Sequence, residues 1–256
     1  MTRGRSAGSS VRCWEAPPRT LQLADDEVHL WRAALDYSGA ELSGFEQLLS
    51  EDERARAARF LFPRDRQHFT AARAVLRSIV ASYVNMAPNQ LQFSVGPHGK
   101  PALATGFDAS TLSFNVSHSR DVALYAISGG CDVGVDVEHV SADTDVDQMA
   151  ERFFSPRELA TFRLLPSEEK QYAFFTCWVR KEAYVKARGN GLAIPLDTFT
   201  VSFSPGEPAA LLDVAGYPEE PAAWCLWELD VAPSCAAALA ANSRTRRLRH
   251  WQFGVS

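Results

Sequence analysis

The sequence lacks the long apolar run that a membrane-spanning helix requires. No stretch of its 256 residues approaches the ~20 consecutive apolar residues that cross a bilayer, and its first residues contain no apolar segment of the secretory-signal kind. The formal net charge is −5, so the molecule as a whole also lacks the positive charge of a nucleic-acid-binding protein. We therefore expect no membrane and no nucleic-acid partner, and any anion site must come from local basic clusters.

Cysteines are few, and acidic residues are missing from the first 14 positions. The cysteines fall at no metal-ligand or redox spacing, which favours a reducing compartment and a cytoplasmic protein. They are Cys13, Cys131, Cys177, Cys225 and Cys235. The opening MTRGRSAGSSVRCW is basic and rich in Ser and Gly. Such a composition buries little apolar surface, so we interpret residues 1–27 as a disordered leader, with a transit peptide as the alternative.

The first half of the chain alternates between strand-like and helix-like patterns. VHLWRAAL at 28–35 predicts a strand, and the residues from 46 to 60 favour a helix, with Ser50 and Glu53 resembling a capping box. A second helix starts at Pro63, and its apolar residues recur at steps of three and four. Short alternating segments after it predict strands.

A glycine pair at 129–130 marks a hinge, and a second half with a similar order follows. Helices are predicted at about 155–165 and 168–187, with apolar strands after them. Both halves place helices before a strand of small residues, which indicates an α+β fold made of two similar subdomains. The predicted units are residues 28–131, residues 132–242 and a basic, solvated tail at 243–256.

The segment VGVDVEHV opens the second half and carries two carboxylates. Side chains alternate along a strand, so Val133, Val135 and Val137 are predicted to enter the core, while Asp136 and Glu138 share the other face with Gly134, roughly 7 Å apart. Paired carboxylates suit Mg²⁺, and the glycine would let a ligand approach the backbone. The alternative is an ordinary solvated strand face.

The segment FFTCWVRKEAYVKARGNGL predicts a helix with an indole, a carboxylate and an amine on one face. Trp178, Glu182 and Lys186 follow each other at four-residue steps. Glu182 could add a third carboxylate to the metal site. Lys186 could meet a phosphate and stabilise the charge that grows on a leaving oxygen. The alternative is a surface Glu–Lys pair.

Three further segments could contact phosphate groups. In SFNVSHS we expect Ser117 and His118 to lie in a turn where a strand begins, which would display both; the alternative is a structural histidine. Lys100 lies on the glycine-containing loop GPHGKP. The densest basic stretch before the tail is either a phosphate-binding or a solvated helix face. Its arginines are Arg54, Arg56, Arg59, Arg64 and Arg66.

Four separated motifs occur here in one order: GKPAL, FNVSHS, GVDVEHV and WVRKEAYVKARGNGL. In order and spacing they resemble the 4′-phosphopantetheinyl transferase superfamily, specifically its Sfp-type (surfactin-synthetase-activating) branch, over roughly residues 28–205. The resemblance implies two similar α+β subdomains in a pseudo-twofold arrangement, with coenzyme A in the cleft between them. It also implies transfer of the 4′-phosphopantetheine arm to a serine of an acyl or peptidyl carrier protein.

The resemblance also implies roles for the acidic residues and the lysine. Asp136, Glu138 and Glu182 would bind Mg²⁺, with Mn²⁺ as an alternative. Lys186 would contact the pyrophosphate and assist the leaving group. The carrier serine would be deprotonated by a metal-linked water or by Glu182, so Asp136, Glu182 and Lys186 are the expected catalytic residues.

Coenzyme A would be held by residues from both halves in addition to Lys186. Ser117 and His118 would touch its 3′-phosphate end, together with Lys100, Pro101 and Arg56. Carrier docking is expected beside the cleft, on apolar residues near steering arginines. These candidates are Phe153, Phe154, Leu192, Arg152, Arg157 and Arg188, with a position in the buried core as the alternative for the two phenylalanines.

Within this interpretation we expect a monomer that activates carrier domains of polyketide, nonribosomal peptide or fatty acid synthases. Two other functions fit parts of the pattern. One is a Mg²⁺-dependent phosphohydrolase that acts on coenzyme A or a nucleotide, which would release adenosine 3′,5′-bisphosphate without a carrier. The other is a coenzyme-A-binding protein that has lost catalysis, against which the complete set of acidic and basic residues argues.

Overall fold

A computed structural model describes residues 14–96, 101–104, 112–189, 194–242, 245 and 247–254 of the chain. Within these ranges the chain forms strands β1 to β11, numbered in chain order. They are Glu27–Ala34, Phe93–Val95, Pro101–Leu103, Leu112–Ser119, Val122–Gly129, Val133–His139, Phe199–Val201, Leu211–Val214, Trp224–Glu228, Cys235–Asn242 and Arg247–Gln252. Helices α1 to α7 are Gly39–Glu46, Glu51–Ala57, Pro63–Val84, Val146–Phe153, Pro156–Arg163, Ser167–Arg188 and Glu220–Ala223.

The strands form two main sheets, one in each half of the molecule. The first has the order β11-β1-β5-β4, and the second has the order β6-β10-β9. All pairs are antiparallel except β1 with β11, which are parallel. The chain changes sheet between β5 and β6, at residues 130–132. The α+β fold class predicted from the sequence is confirmed.

One long helix covers the outer face of each sheet. In the first half, α3 packs its apolar side on β1, β4 and β5, and this core includes Trp31, Val75 and Phe114. In the second half, α6 lies against β6 and β10. Apolar residues of β1 and β5 meet Val135 and Leu239 in a third core between the two sheets. The order of layers is therefore helix, sheet, sheet, helix.

The single helix predicted over 46–60 is wrong. The structure has α1 at Gly39–Glu46, a break, and α2 at Glu51–Ala57. The capping box at Ser50 and Glu53 is present and starts α2. The buried Glu53 carboxylate also accepts bonds from Arg73 and Arg77 of α3. Its position holds α2 against α3 and explains why the helix begins there.

The close approach of α6 to β6 depends on a glycine. A Cβ atom at Gly134 would lie 2.1 Å from the Ala183 carbonyl oxygen and 2.3 Å from the Ala187 nitrogen. From the sequence we expected Gly134 to let a ligand approach the backbone of β6. This prediction is wrong, because the backbone of α6 fills the space. The contact brings the side chains of α6 onto the same face as Asp136 and Glu138.

Both ends of the chain differ from the sequence interpretation. The expected leader 1–27 is folded from residue 14, where Glu15 exchanges backbone hydrogen bonds with β11. Residues 1–13 lie outside the described ranges. The expected solvated tail contains β11, which extends the first sheet beside β1. The alternating arginines of β11 made the segment look like a solvated tail and not a strand. Edge strands often carry such charges, because these prevent pairing with other chains.

Across the described ranges, no helix combines the length and apolar character needed to span a bilayer.

Candidate active site

The candidate site lies where the edges of the two sheets meet, at β4 and β6. As an edge strand, β6 has alternate N–H groups without a strand partner. Side chains of β4 accept these bonds: Val135 N–H donates to Asn115 Oδ1 at 2.9 Å, and His139 N–H donates to Ser119 Oγ at 3.1 Å. Ser117 Oγ stands between them and accepts from Val137 at 3.4 Å. We call these three contacts the seam.

The seam fixes both acidic residues of β6. Ser117 Oγ lies 2.8 Å from Asp136 Oδ1, and Ser119 Oγ donates to Glu138 Oε2 at 3.0 Å. Lys186 Nζ donates to the same Asp136 oxygen at 2.6 Å and lies 3.1 Å from Ser117 Oγ. Residues from β4, β6 and α6 therefore converge on one carboxylate.

The carboxylates of the site repel each other. Burial raises the pKa of Glu138, and the negative charge of Asp136 raises it further. Burial likewise raises the pKa of Glu182, with added effects of Asp136 and Glu138, while Lys186 opposes the shift. Lys186 offsets only part of the negative charge that acts on Glu138 and Glu182, and a bound cation would offset more of it.

One oxygen of Asp136 supports a cation at this place. Asp136 is 3% exposed, and its Oδ2 atom is buried without a hydrogen-bond partner. Orphaned buried carboxylate oxygens are costly unless an ion or water completes them. No three His, Cys, Asp or Glu side chains in the described ranges form a ready metal cage. The donor set still suits Mg²⁺, which binds one or two carboxylates and takes its other ligands from water and phosphate.

His118 lies beside these carboxylates, at the end of β4. Partial desolvation lowers its pKa, and the positive charges of Lys186 and His68 lower it further. His68 belongs to α3 and is held by Asp36 at 2.8 Å. A phosphate placed between these cations would reverse the shift, because an anion stabilises the protonated imidazole.

These side chains line one open cavity of about 380 Å³. Its walls come from β4, β6 and α6 and combine carboxylates, a lysine, a histidine and an indole. The lining residues are Val116, Ser117, His118, Asp136, Glu138, Trp178, Glu182 and Lys186.

Comparison with known proteins identifies the family. A family model described as the 4′-phosphopantetheinyl transferase superfamily matches residues 132–241, and one described as 4′-phosphopantetheinyl transferase, N-terminal, matches residues 35–129. The 4′-phosphopantetheinyl transferase HetI of Nostoc sp. is 41% identical over 240 residues, which cover 94% of this chain and 98% of the relative. The chain belongs to the 4′-phosphopantetheinyl transferase superfamily.

The match to Sfp agrees with the resemblance seen in the motifs, and the Sfp-type prediction is confirmed. The 4′-phosphopantetheinyl transferase Sfp of Bacillus subtilis is 27% identical over 164 residues, covering 64% of this chain and 70% of the relative. A crystal structure of the Thermotoga maritima holo-[acyl-carrier-protein] synthase (AcpS) matches with a TM-score of 0.34 and 22% identity, over 45% of this chain and 64% of that chain.

The cavity of this phosphopantetheinyl transferase contains six of the residues predicted from sequence. Ser117, His118, Asp136, Glu138, Glu182 and Lys186 all line it. The expected turn at Ser117 and His118 is wrong, since both belong to β4. Alternation along a regular strand sends Ser117 towards β6, and His118 reaches the cavity from the other face because β4 ends there.

The remaining predicted coenzyme A residues lie elsewhere or are not described. Arg56 stacks over the Phe69 ring at 5.2 Å, and it is absent from the described lining of the cavity, as is Pro101. Pro101 opens β3 in a small sheet with β2. Lys100 falls outside the described residues.

Sequence reasoning missed Asn115, Ser119 and His68. The first two alternate with Ser117 on one strand face, and this period-two run of short polar residues was the available signal. His68 carried no such signal, because its proximity to His118 depends on how α3 packs on the first sheet.

A buried ion pair holds α6 and, with it, Glu182. Lys181 Nζ lies 2.6 Å and 2.8 Å from the two oxygens of Glu158, and both side chains are fully buried. Lys181 also donates to the Phe199 carbonyl at 2.6 Å, and Val201 N–H donates to Glu158. These bonds tie α6 to α5 and β7, so the residue next to Lys181 has a fixed position.

The structure also revises the apolar docking candidates of this transferase. Phe154 is 3% exposed and belongs to the core, where it stacks on Phe174. Phe153 is half-buried against Trp178, with ring centroids 5.2 Å apart. Leu192 lies outside the described residues.

Proposed function

We propose that this chain transfers the 4′-phosphopantetheine arm of coenzyme A to a serine hydroxyl of an acyl or peptidyl carrier protein, at the cavity between β4, β6 and α6. The observation that carries the proposal is the convergence of Lys186, Asp136 and Ser117 on one point, with Glu138 and Glu182 around it. This arrangement offers a fixed cation and several carboxylates to a pyrophosphate, in keeping with the family.

The reaction requires a new phosphorus–oxygen bond and the loss of an old one. The serine oxygen bonds to the phosphorus that carries pantetheine, and the bond from that phosphorus to the bridging pyrophosphate oxygen breaks. The products are the holo-carrier and adenosine 3′,5′-bisphosphate, and the serine proton passes to a base. Catalysis of such transfers consists mainly of positioning and charge stabilisation.

Each residue of the site has a part in this scheme. Lys186 binds the pyrophosphate and stabilises charge on the leaving oxygen. Glu182 is the proposed proton acceptor, either directly or through a water molecule. Ser117 and His118 bind the phosphates of coenzyme A at the mouth of the cavity.

We propose Asp136, Glu138 and Glu182 as the residues that hold Mg²⁺. When bound there, the ion would neutralise the charge of the carboxylates and of the pyrophosphate. The orphaned Asp136 Oδ2 is the atom that most favours this assignment. Lys186 already donates to Asp136 Oδ1, so the pyrophosphate would compete with Asp136 for Lys186, while Oδ2 is open to the metal.

Mass spectrometry of a carrier panel tests the function. Incubating an apo carrier protein with this chain, coenzyme A and Mg²⁺ should add about 340 Da to one serine, the mass of the transferred arm. No mass gain across several acyl and peptidyl carriers would refute the proposal. Release of adenosine 3′,5′-bisphosphate without a carrier would instead indicate a phosphohydrolase.

Two variants separate chemistry from folding. Asp136→Ala and Glu182→Ala should abolish transfer while circular dichroism and cooperative unfolding remain. Isothermal calorimetry then tests the metal assignment, since Asp136→Ala should reduce the Mg²⁺-dependent binding of coenzyme A. Unchanged Mg²⁺-dependent binding in both variants would remove the metal assignment and leave the transfer itself untouched.

We further propose a cytoplasmic enzyme that acts as a monomer. The four cysteines in the described ranges are free, which suits a reducing compartment. Both sides of the cavity come from a single chain. Sedimentation of the active protein at assay concentration tests the oligomeric state.

A further inference from the structure

The turn between α2 and α3 exposes three consecutive large apolar side chains. Phe60, Leu61 and Phe62 are 37%, 85% and 63% exposed. We call these three residues the apolar turn. Single exposed apolar residues need no explanation, but consecutive ones favour a binding surface, because they add to aggregation risk without contributing to the core.

The first residue of the apolar turn packs against α3. The Phe60 ring packs on Phe69 of α3, with centroids 5.3 Å apart, and Arg56 covers the same Phe69 ring. Pro63 opens α3 directly after the turn. A preformed surface loses little conformational freedom when a partner binds, which favours its use in recognition.

Positive charge surrounds the apolar turn. Between residues 54 and 66 the chain has five arginines against one aspartate, a net +4, while the whole chain carries −5. Arg54 and Arg56 are engaged by the Leu49 carbonyl and by Phe69. Arg66 forms one exposed pair with Glu46 at 3.6 Å. Within the described ranges Arg59 and Arg64 form no ion pair, so this surface complements an acidic partner with apolar side chains.

The apolar turn is connected to the active cavity through α3. It leads directly into α3, and the second turn of α3 brings His68 close enough for its charge to act on His118. His118 lines the cavity. A protein bound at the turn would therefore contact the half of the molecule that supplies Ser117 and His118 to the cavity.

We propose that the apolar turn, Phe60 to Phe62, is a docking surface for the acidic carrier protein whose serine enters the cavity. Apolar side chains of the carrier would cover Leu61 and Phe62, and the arginines around them would attract its acidic groups. This inference rests on the proposed transfer and adds a surface in the first half of the chain to the candidates near α6.

Steady-state kinetics of a double variant, Leu61→Ser with Phe62→Ser, tests the inference. Both side chains are exposed, so the fold should be retained, as the unfolding temperature would show. We expect the KM for the carrier to rise about tenfold or more, since truncated anchors dominate binding. The KM for coenzyme A and the kcat at saturating carrier should not change.

Leu164→Ser provides the matched control. Leu164 is 87% exposed and lies at the end of α5, so this variant removes a comparable apolar side chain elsewhere and should leave the carrier KM unchanged. An Arg59→Gln, Arg64→Gln variant should weaken the dependence of the carrier KM on salt.

Three results would overturn the docking surface. They are an unchanged carrier KM in the double variant, an equal loss in the Leu164→Ser control, and a rise confined to the KM for coenzyme A. The last would mean that the exposed rings contact the adenine base. These three results can be interpreted only if the unaltered chain adds the pantetheine arm to a carrier. If the unaltered chain does not, the proposed function itself has failed.

Discussion

Asn115 touches none of the carboxylates, yet it anchors the strand that bears two of them. Its Oδ1 atom accepts from Val135 N–H at 2.9 Å, one residue before Asp136, and the side chain is 5% exposed. Replacing it by alanine leaves a buried donor unpaired, which costs about 1–3 kcal/mol of stability. Loss of this bond should also let β6 shift relative to Ser117 and Lys186.

We therefore expect Asn115→Ala to lower kcat about 10- to 100-fold, as a small misplacement of catalytic groups does, with little change in the carrier KM. Asn115→Ser is the conservative variant, because Ser117 and Ser119 already accept the equivalent N–H bonds of β6. Serine should restore most of the rate. A full rate in Asn115→Ala, or equal losses in both folded variants, would contradict a positioning role.

Glu182 should reduce the stability of the protein in the absence of metal. Its pKa is raised from the usual 4.5 by burial and by Asp136. A carboxyl group with a higher pKa in the folded state binds its proton more tightly there, so ionisation costs stability. This cost is absent below the unfolded pKa and appears as pH rises through the folded pKa.

Glu182→Gln should therefore raise the unfolding temperature near neutral pH by a few °C in chelator-treated protein, on the scale of ~2–4 °C per kcal/mol. The gain should vanish as pH falls below about 4.5. Added Mg²⁺ should stabilise the unaltered chain more than the variant, and differential scanning calorimetry measures both. A variant that is less stable at neutral pH would contradict the repulsion among the carboxylates.

At the scale of elements, Gly134 lets β6 and α6 approach each other closely enough to bring their site residues together. Gly134→Ala forces Cβ to within 2.1 Å of the Ala183 carbonyl, where backbone atoms cannot yield. We expect the free energy of unfolding to fall by about 1–3 kcal/mol or more. The transfer rate should also fall, because Glu182 and Lys186 move away from Asp136.

Gly39→Ala is the matched control for this substitution. A Cβ at Gly39 would meet nothing within 4 Å, and alanine at the start of α1 should be neutral or slightly stabilising. Chemical denaturation of both variants, together with transfer rates, checks the prediction. Equal stabilities of the two variants would mean that α6 does not depend on the glycine.

The strength of local patterns explains which elements the sequence predicted. The α3 helix has long three- and four-residue periodicity, and β6 alternates valine with polar residues, so their type and buried faces were predicted correctly. The α6 helix was predicted as a helix, but its buried face was not, because its buried residues follow one another without a single apolar face. In β4 the regular alternation directs Ser117 towards β6, whereas we expected a turn there. Short α1 lacks a marked apolar face, and the parallel pairing of β1 with β11 joins segments about 220 residues apart, which no local pattern reveals.

At the scale of the whole molecule, the two ends of the chain close the first sheet. In the order β11-β1-β5-β4 the last strand lies at the edge opposite the active cavity. Trp251 pairs in register with Trp31, and its ring meets His29 edge to face, with centroids 5.9 Å apart. The C-terminal segment thus contributes to the core and lies far from the chemistry.

This separation predicts that stability and catalysis respond differently to changes in β11. Trp251→Ala should cost on the order of 3 kcal/mol, because a partly buried indole is lost from the core. In contrast, Arg247→Ala removes one exposed pair with Asp26 and should leave the stability close to that of the unaltered chain. At a temperature where both variants are folded, each should keep the kcat of the unaltered chain, since β4 and β6 are untouched. Denaturant titration and transfer kinetics on the same preparations check this. A Trp251→Ala variant with normal stability, or with a reduced kcat while folded, would mean that the C-terminal strand acts otherwise than as the closing edge of the first sheet.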